Sequence, residues 1–348
     1  FKSKENAELH MGQKYTRLNT EGYGGMICST WLDRPLSVAG RVLVQEGQAV
    51  TSRLVALDRD LLLIPSVAIH MNREVNDKAS YNKQVDMLPL LGSDLKDGAL
   101  LDIVAQELGV KREQILGSDL YLYIREKGTV WGAQEEYLSS GRLDDQECAF
   151  GILKGFLKGR SERSVNVAAC FDNEEVGSGT KQGAASTFLY DVLRRITLSL
   201  GGGEEDFARA VASSFLFSAD NAHAVHPNHP ELADTNEAPA PNGGVVVKHS
   251  PRYATDAVSA AAFQELCRRA QVPTQHYANR PDQAGGATLG NIANTKLPVN
   301  TVDIGMAQLA MHSCFETMGS RDVAHFVRAV TACYEAVLTF TDTAVEIG

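Results

Sequence analysis

The sequence predicts an α/β protein: a mixed α/β sandwich behind a first part built mostly of strands. Three observations carry this. From about residue 139 onward, strand-like and helix-like patterns alternate, as in layered α/β folds. Before residue 138 the apolar residues instead fall into short alternating runs, the signature of half-buried strands. Between them in importance stands the apolar run at residues 165–170, read as a buried strand, which ends in Phe171-Asp172-Asn173-Glu174-Glu175-Val176-Gly177-Ser178. Acids at the C-terminal end of a strand lie where open α/β sheets keep their ligands.

In chain order, residues 36–44 and 120–124 read as strands, with a helix over 99–108 whose apolar residues recur at helical spacing. The expected division is 1–138 and 139–348. A helical pattern over 148–157 follows Asp144, a carboxylate that suits the dipole near a helix start. Residues 213–219 form a strand-like run that leads into Asp220, and residues 300–305 form another that leads to a loop carrying His312. Residues 243–248 form an apolar strand in which Lys248 is costly unless paired. The Pro-, Asn- and Gly-rich stretch 227–244 reads as a long loop. A last helix over 322–340 places Val323, Phe326, Val327, Val330, Tyr334 and Val337 on one stripe.

The totals narrow the function classes. Net charge is −10 over 348 residues, which disfavours nucleic-acid and anionic-membrane partners. No apolar stretch reaches the 18 or more residues of a spanning helix. Six scattered cysteines read as reduced thiols, and with no signal-like start the expected compartment is the cytoplasm.

The chemistry lies in the acids. Of two adjacent side chains, such as Glu174 and Glu175, one can hold a metal while its neighbour faces a water. Asp144, Glu175, Asp220 and His312 sit at separate element ends, and convergence from separate elements is how catalytic metal sites are built. The competing pattern is Asp220-x-x-His223-x-x-His226-x-x-His229, whose spacing can chelate zinc on its own. Pro227 and Pro230 would disrupt a helix aligning those imidazoles.

Arg142-Leu143-Asp144, Asp172 to Ser178, Ser218-Ala219-Asp220-x-Ala222-His223 and Gln308-Leu309-Ala310-Met311-His312-Ser313, in this order, resemble the aspartyl aminopeptidase family that includes vacuolar aminopeptidase I. Trp31-Leu32-Asp33-Arg34-Pro35-Leu36-Ser37, Ala68-Ile69-His70-Met71-Asn72-Arg73 and the glycine motif at 285–290 extend the likeness over nearly the whole chain. The resemblance implies an α/β/α zinc-peptidase catalytic domain, interrupted by an inserted, mainly-β dimerisation domain. It implies removal of one N-terminal residue from peptides, acidic residues preferred and neutral ones the alternative. It further implies two zinc ions per subunit, with cobalt or manganese as substitutes, and a tetrahedral homododecamer.

Carried over by motif, Asp144 bridges the two ions, Glu175 and His312 complete one, and Asp220 with a histidine expected ahead of Phe1 completes the other. Without that histidine the second ion is expected to be held weakly, and loss of its strand to expose a sheet edge. Glu174 is the general base, and His70 reaches the active site of a neighbouring subunit. Lys248, Tyr253 and His223 line the substrate pocket, with core packing the plainer reading of Tyr253 and a satisfied core position that of His70. Asp145-Gln146-Glu147 departs from the family, which commonly has Asn and a small or apolar residue there. A deacylase or carboxypeptidase of similar fold, and a non-catalytic assembly subunit, are the rival readings.

Overall fold

The computed structural model describes residues 1–348 other than Ala284, Ala287, Thr288 and Asp342, so Ala287 and Thr288 of the glycine motif lie outside the described residues. It comprises two compact units, residues 1–127 with 312–315, and residues 128–311 with 316–348.

The first unit is a six-stranded antiparallel sheet. Its strands are β1 (Lys2–Met11), β2 (Tyr15–Glu21), β3 (Leu36–Glu46), β4 (Ala49–Ala56), β5 (Leu90–Gly92) and β6 (Ile115–Ile124), in the order β4-β3-β6-β1-β2-β5. Helix α1 (Ala99–Leu108) has the extent its periodicity predicts. Leu18, Leu36, Val38, Val42, Val44 and Leu120 alternate inward along their strands and pack with Leu100 and Val104 of α1.

The second unit begins with β7 (Thr129–Trp131) and β8 (Tyr137–Ser140), and β8 is hydrogen-bonded to a strand at 316–319. Then come α2 (Leu143–Lys158), α3 (Phe188–Ser199), α4 (Glu204–Ala212), β9 (Phe215–Ala219), β10 (Ala222–His223), β11 (Val245–His249), α5 (Ala257–Arg269), β12 (Thr274–Ala278), α6 (Leu289–Asn294), β13 (Asn300–Gly305), β14 (Ala307–Leu309), β15 (Glu316–Gly319), α7 (Asp322–Glu335), β16 (Leu338–Phe340) and β17 (Val345–Ile347). One mixed sheet runs β12-β11-β13-β9 and a second runs β10-β14-β15-β8-β7.

The core of this unit joins α2, α5 and α7 to β11 and β13 through Cys148, Phe263, Val247, Val302, Ile304, Phe326 and Val330. Helices α2 and α7 meet closely because α2 presents glycines. A Cβ on Gly151 would lie 2.3 Å from Phe326, and one on Gly155 2.5 Å from Val330.

Two expectations fail. Residues 165–170 form no strand, and Val165 is 78% exposed. No described strand pairs with them, and the segment is tied to α7 by side chains instead: Asn166 Nδ2 donates to the Tyr334 carbonyl, and the Tyr334 hydroxyl donates to the Val167 carbonyl. The last helix stops at Glu335, because residues 338–340 turn into a hairpin with β17. Among the cysteines, Cys148, Cys267, Cys314 and Cys333 are buried thiols, whereas Cys170 is exposed.

Candidate metal centre

Strand β9 delivers Asp220 and Asn221 at its C-terminal end, through parallel pairing with β13. Asn221, 4% exposed, ties this end to the start of α2: its Nδ2 donates to the Leu143 carbonyl, and its Oδ1 accepts from Cys148 Sγ. Asp144 and Asp145 leave helical geometry at that start, with ψ of 114° and 40°, and the Asp144 N–H donates to Glu316 Oε2 at 3.0 Å. The dipole argument therefore gives way to a different local cause, a side-chain clamp on an irregular first turn.

Glu174 and Glu175 sit on a single 3-10 turn, Glu174–Val176, half-buried. The turn is closed by left-handed residues on both sides, Asn173 at φ 60° and Gly177 at φ 95°, and by the Ser178 N–H donating to the Asn173 carbonyl. Asn tolerates that region better than most residues, and Gly tolerates it best. His312, in the turn between β14 and β15, also has a left-handed backbone, φ 66°.

Within the second unit, one ligand atom from each of Asp144, Asp145 and Asp220 lies within 4.8 Å of the other two. This all-oxygen donor set fits a divalent cation. Asp145 supports the fit: its Oδ1 is buried without a hydrogen-bond partner, and burial followed by the Asp220 charge holds its carboxyl well above the usual range. A cation would relieve both costs. Sequence reasoning set Asp145 aside as a family departure and overlooked Asn221. The available signal was the adjacency of each to an assigned ligand.

Behind these groups, Lys248 of β11 is buried with its ammonium against Asp220 and Asn221. Burial opposes its charge, but Asp220, Tyr253, Asp303 and Cys148 together outweigh it and keep the pKa above the ordinary lysine value. Tyr253 is half-buried with its ring 5.2 Å from that ammonium. His223 ends β10 exposed, edge-on to Tyr277. Among the described residues the carboxylate group does not take in His223, His226 or His229; His229 Nδ1 lies instead 3.0 Å from Glu231. His70 occupies an exposed turn between exposed Ile69 and Met71, so the core-histidine reading fails.

A mixed α/β scaffold that gathers carboxylates able to hold a divalent cation is compatible with a metallohydrolase. The chain matches the family described as Aminopeptidase I zinc metalloprotease (M18) over residues 1–334, and it belongs to that family: it is a metalloaminopeptidase, a hydrolase of peptides from their N-terminus. It is 48% identical over 330 residues to the "Probable M18 family aminopeptidase 2" of Clostridium acetobutylicum, covering 92% of this chain and 76% of that protein. It is 36% identical over 360 residues to the "Aspartyl aminopeptidase" of Caenorhabditis elegans, covering 94% and 76%. Among solved structures, that of the Ape4 and Nbr1 complex matches with a TM-score of 0.90 at 32% identity, covering 96% of this chain and 69% of that one. The yeast mApe1 dodecamer matches with a TM-score of 0.79 at 28% identity, covering 96% and 76%. No helix among the described residues is long and apolar enough to cross a membrane.

Proposed function

We propose that this protein removes acidic N-terminal residues from peptides with two divalent ions per subunit, zinc first among them, for which Asp144 would be a shared ligand. The observation that carries this is the convergence of Asp144, Asp145 and Asp220 on one ligand group, in a chain of the zinc aminopeptidase family. When bound, zinc supplies a Lewis acid that polarises the scissile carbonyl and acidifies water. The residues do the rest. Asp144, Asp145 and Asp220 would hold one ion, and the family motif assigns Glu175 and His312 to the other. Glu174, next to Glu175 and outside the carboxylate group, accepts the proton of the attacking water and returns it to the leaving amine. His223 and Tyr253 border the substrate.

The acidic preference is supported by the aspartyl aminopeptidase relative. The dodecamer of the yeast structure supports assembly into a homo-oligomer, through the first unit as a dimerisation domain, in a tetrahedral arrangement. The exposed turn at His70 then serves a neighbouring subunit's site, in a cytoplasmic enzyme. The test is kcat/KM on unblocked Asp-, Glu-, Ala- and Leu-anilides, with metal content measured in parallel. Asp and Glu are expected to exceed Leu by at least about tenfold, roughly 1.4 kcal/mol of transition-state preference. Equal or faster release of Leu overturns the acidic preference, and one tightly held ion per chain overturns the two-ion site.

A further inference from the structure

His249 ends β11, and His276 lies in β12 opposite Val247. Side chains alternate along a strand, so His249 and His276 share a face with Val247, and Lys248 takes the other. Lys248 faces Asp220, whereas Val247 packs among Phe263 and Leu266 of α5. The two imidazoles therefore stand on the side of the sheet away from the carboxylate group, half-buried beside Gln264 of α5.

His249 Nε2 and His276 Nδ1 are 2.9 Å apart, with ring centroids 5.1 Å apart. Nitrogens at that spacing share one proton or hold one ion. A cation about 2.0–2.1 Å from each nitrogen, as zinc binds imidazole, sets neighbouring ligand atoms roughly 2.9–3.4 Å apart. Burial, and then His276, hold the His249 pKa below the ordinary histidine value, so the ring is neutral, the form that binds metal. The Glu237 charge acts against both. Backbone pairing brings Glu237 to this end of the sheet: the Ala278 N–H donates to its carbonyl, and Ala240 and Gln275 exchange two hydrogen bonds, so residues 237–240 run along β12.

We propose that His249, His276 and Glu237 form a further cation site, for zinc, nickel or copper(II), outside the catalytic group. Two imidazoles and a carboxylate are a donor set that such borderline ions take. On loading, the proton between the rings moves to an outer nitrogen. For His276 this is Nε2, 3.2 Å from the Gln264 amide, which accepts it through its oxygen once turned over. The ion would tie the long loop at 227–244 to the ends of β11 and β12.

Equilibrium dialysis of the zinc-loaded enzyme, with free zinc set by a chelator buffer, counts the ions. The wild type should bind one ion per chain more than His249→Gln or His276→Gln. Glu237→Gln should hold that ion at least about tenfold more weakly. At low free zinc, kcat/KM should be the same in all four proteins. The count is a difference, so it stands whatever number of ions the catalytic group holds. Equal counts in the wild type and both histidine variants would overturn the proposal and leave a hydrogen-bonded pair. Unchanged affinity in Glu237→Gln would overturn the three-ligand site.

Labelling needs no variant that folds. Diethyl pyrocarbonate, with modified peptides mapped by mass spectrometry, should modify His249 and His276 of the wild type more slowly as zinc rises to saturation, while exposed His10 reacts alike throughout. Unchanged rates at the pair across that range would overturn the proposal.

Discussion

Strand β11 and the segment 165–178 are both apolar runs that end beside charged site residues, yet they hold those residues in different ways. In β11, Val245, Val246 and Val247 are 0% exposed, paired with β12 on one side and β13 on the other. In the segment, Val165 is 78% and Val167 40% exposed, and the chain is tied to Tyr334, far along the sequence, by the Asn166 side chain and by the Tyr334 hydroxyl on the Val167 carbonyl. Lys248 and its partner Asp220 thus stand on a rigid sheet, whereas Glu174 and Glu175 stand on one 3-10 turn closed by left-handed residues. Apolarity alone does not make a strand; a neighbour with free backbone groups does. The site is half sheet and half turn, so damage to each half should read out differently.

The largest effect belongs to the turn. Glu174→Gln should lower kcat by about 10²–10⁴-fold, the usual contribution of a general base, with zinc content unchanged. Its thermal midpoint should barely move, because the turn is not part of the buried core. Glu175→Gln should instead lose zinc. If Glu174→Gln lost zinc as fully as Glu175→Gln, the roles within the pair would be exchanged.

That pair was legible in the sequence because adjacent acids before Gly177 form a local signal. The extents of β13 and α1 were also legible, and β9 and β11 were placed to within two residues at their ends. What local pattern cannot hold is partnership. The fate of residues 165–170 turns on whether a strand lies alongside. The end of α7 at Glu335 turns on a hairpin with β17. Asp145, Asn221 and Glu316 matter through contacts with residues distant in the chain, of which the sequence shows only one partner at a time.

A matched pair of substitutions tests the comparison itself. Val246 packs against Ala222, Tyr277 and Ala307, so Val246→Asp puts an unpaired charge in the core. It should destabilise by about 3–5 kcal/mol. Val167→Asp, at an exposed position, should stay within about 0.5 kcal/mol. Urea unfolding of both decides the matter. Equal destabilisation would mean that residues 165–170 pack as a buried element in solution.

The smallest effect is specific to the buried half and depends on pH. Glu147 of α2 is 6% exposed, and neither carboxyl oxygen has a hydrogen-bond partner among the described residues. Burial, and then the charges of Glu316, Asp144 and Asp322, push its pKa up to about 9. The folded protein therefore keeps a proton that the unfolded chain releases near the ordinary glutamate value of about 4.3. Where the native state binds more protons, stability falls as pH rises. This loss should begin above the unfolded value and run to about 9, with nothing lost below the window. Glu147→Gln, uncharged and of the same shape, removes the titration. In metal-free buffer it should match the wild type near pH 5 and exceed it by about 1–3 kcal/mol at pH 8, a figure set below the full shift because neighbouring groups relax. A difference between variant and wild type that stays flat from pH 5 to 8 would show that Glu147 ionises normally and that the buried half of the site carries no such load.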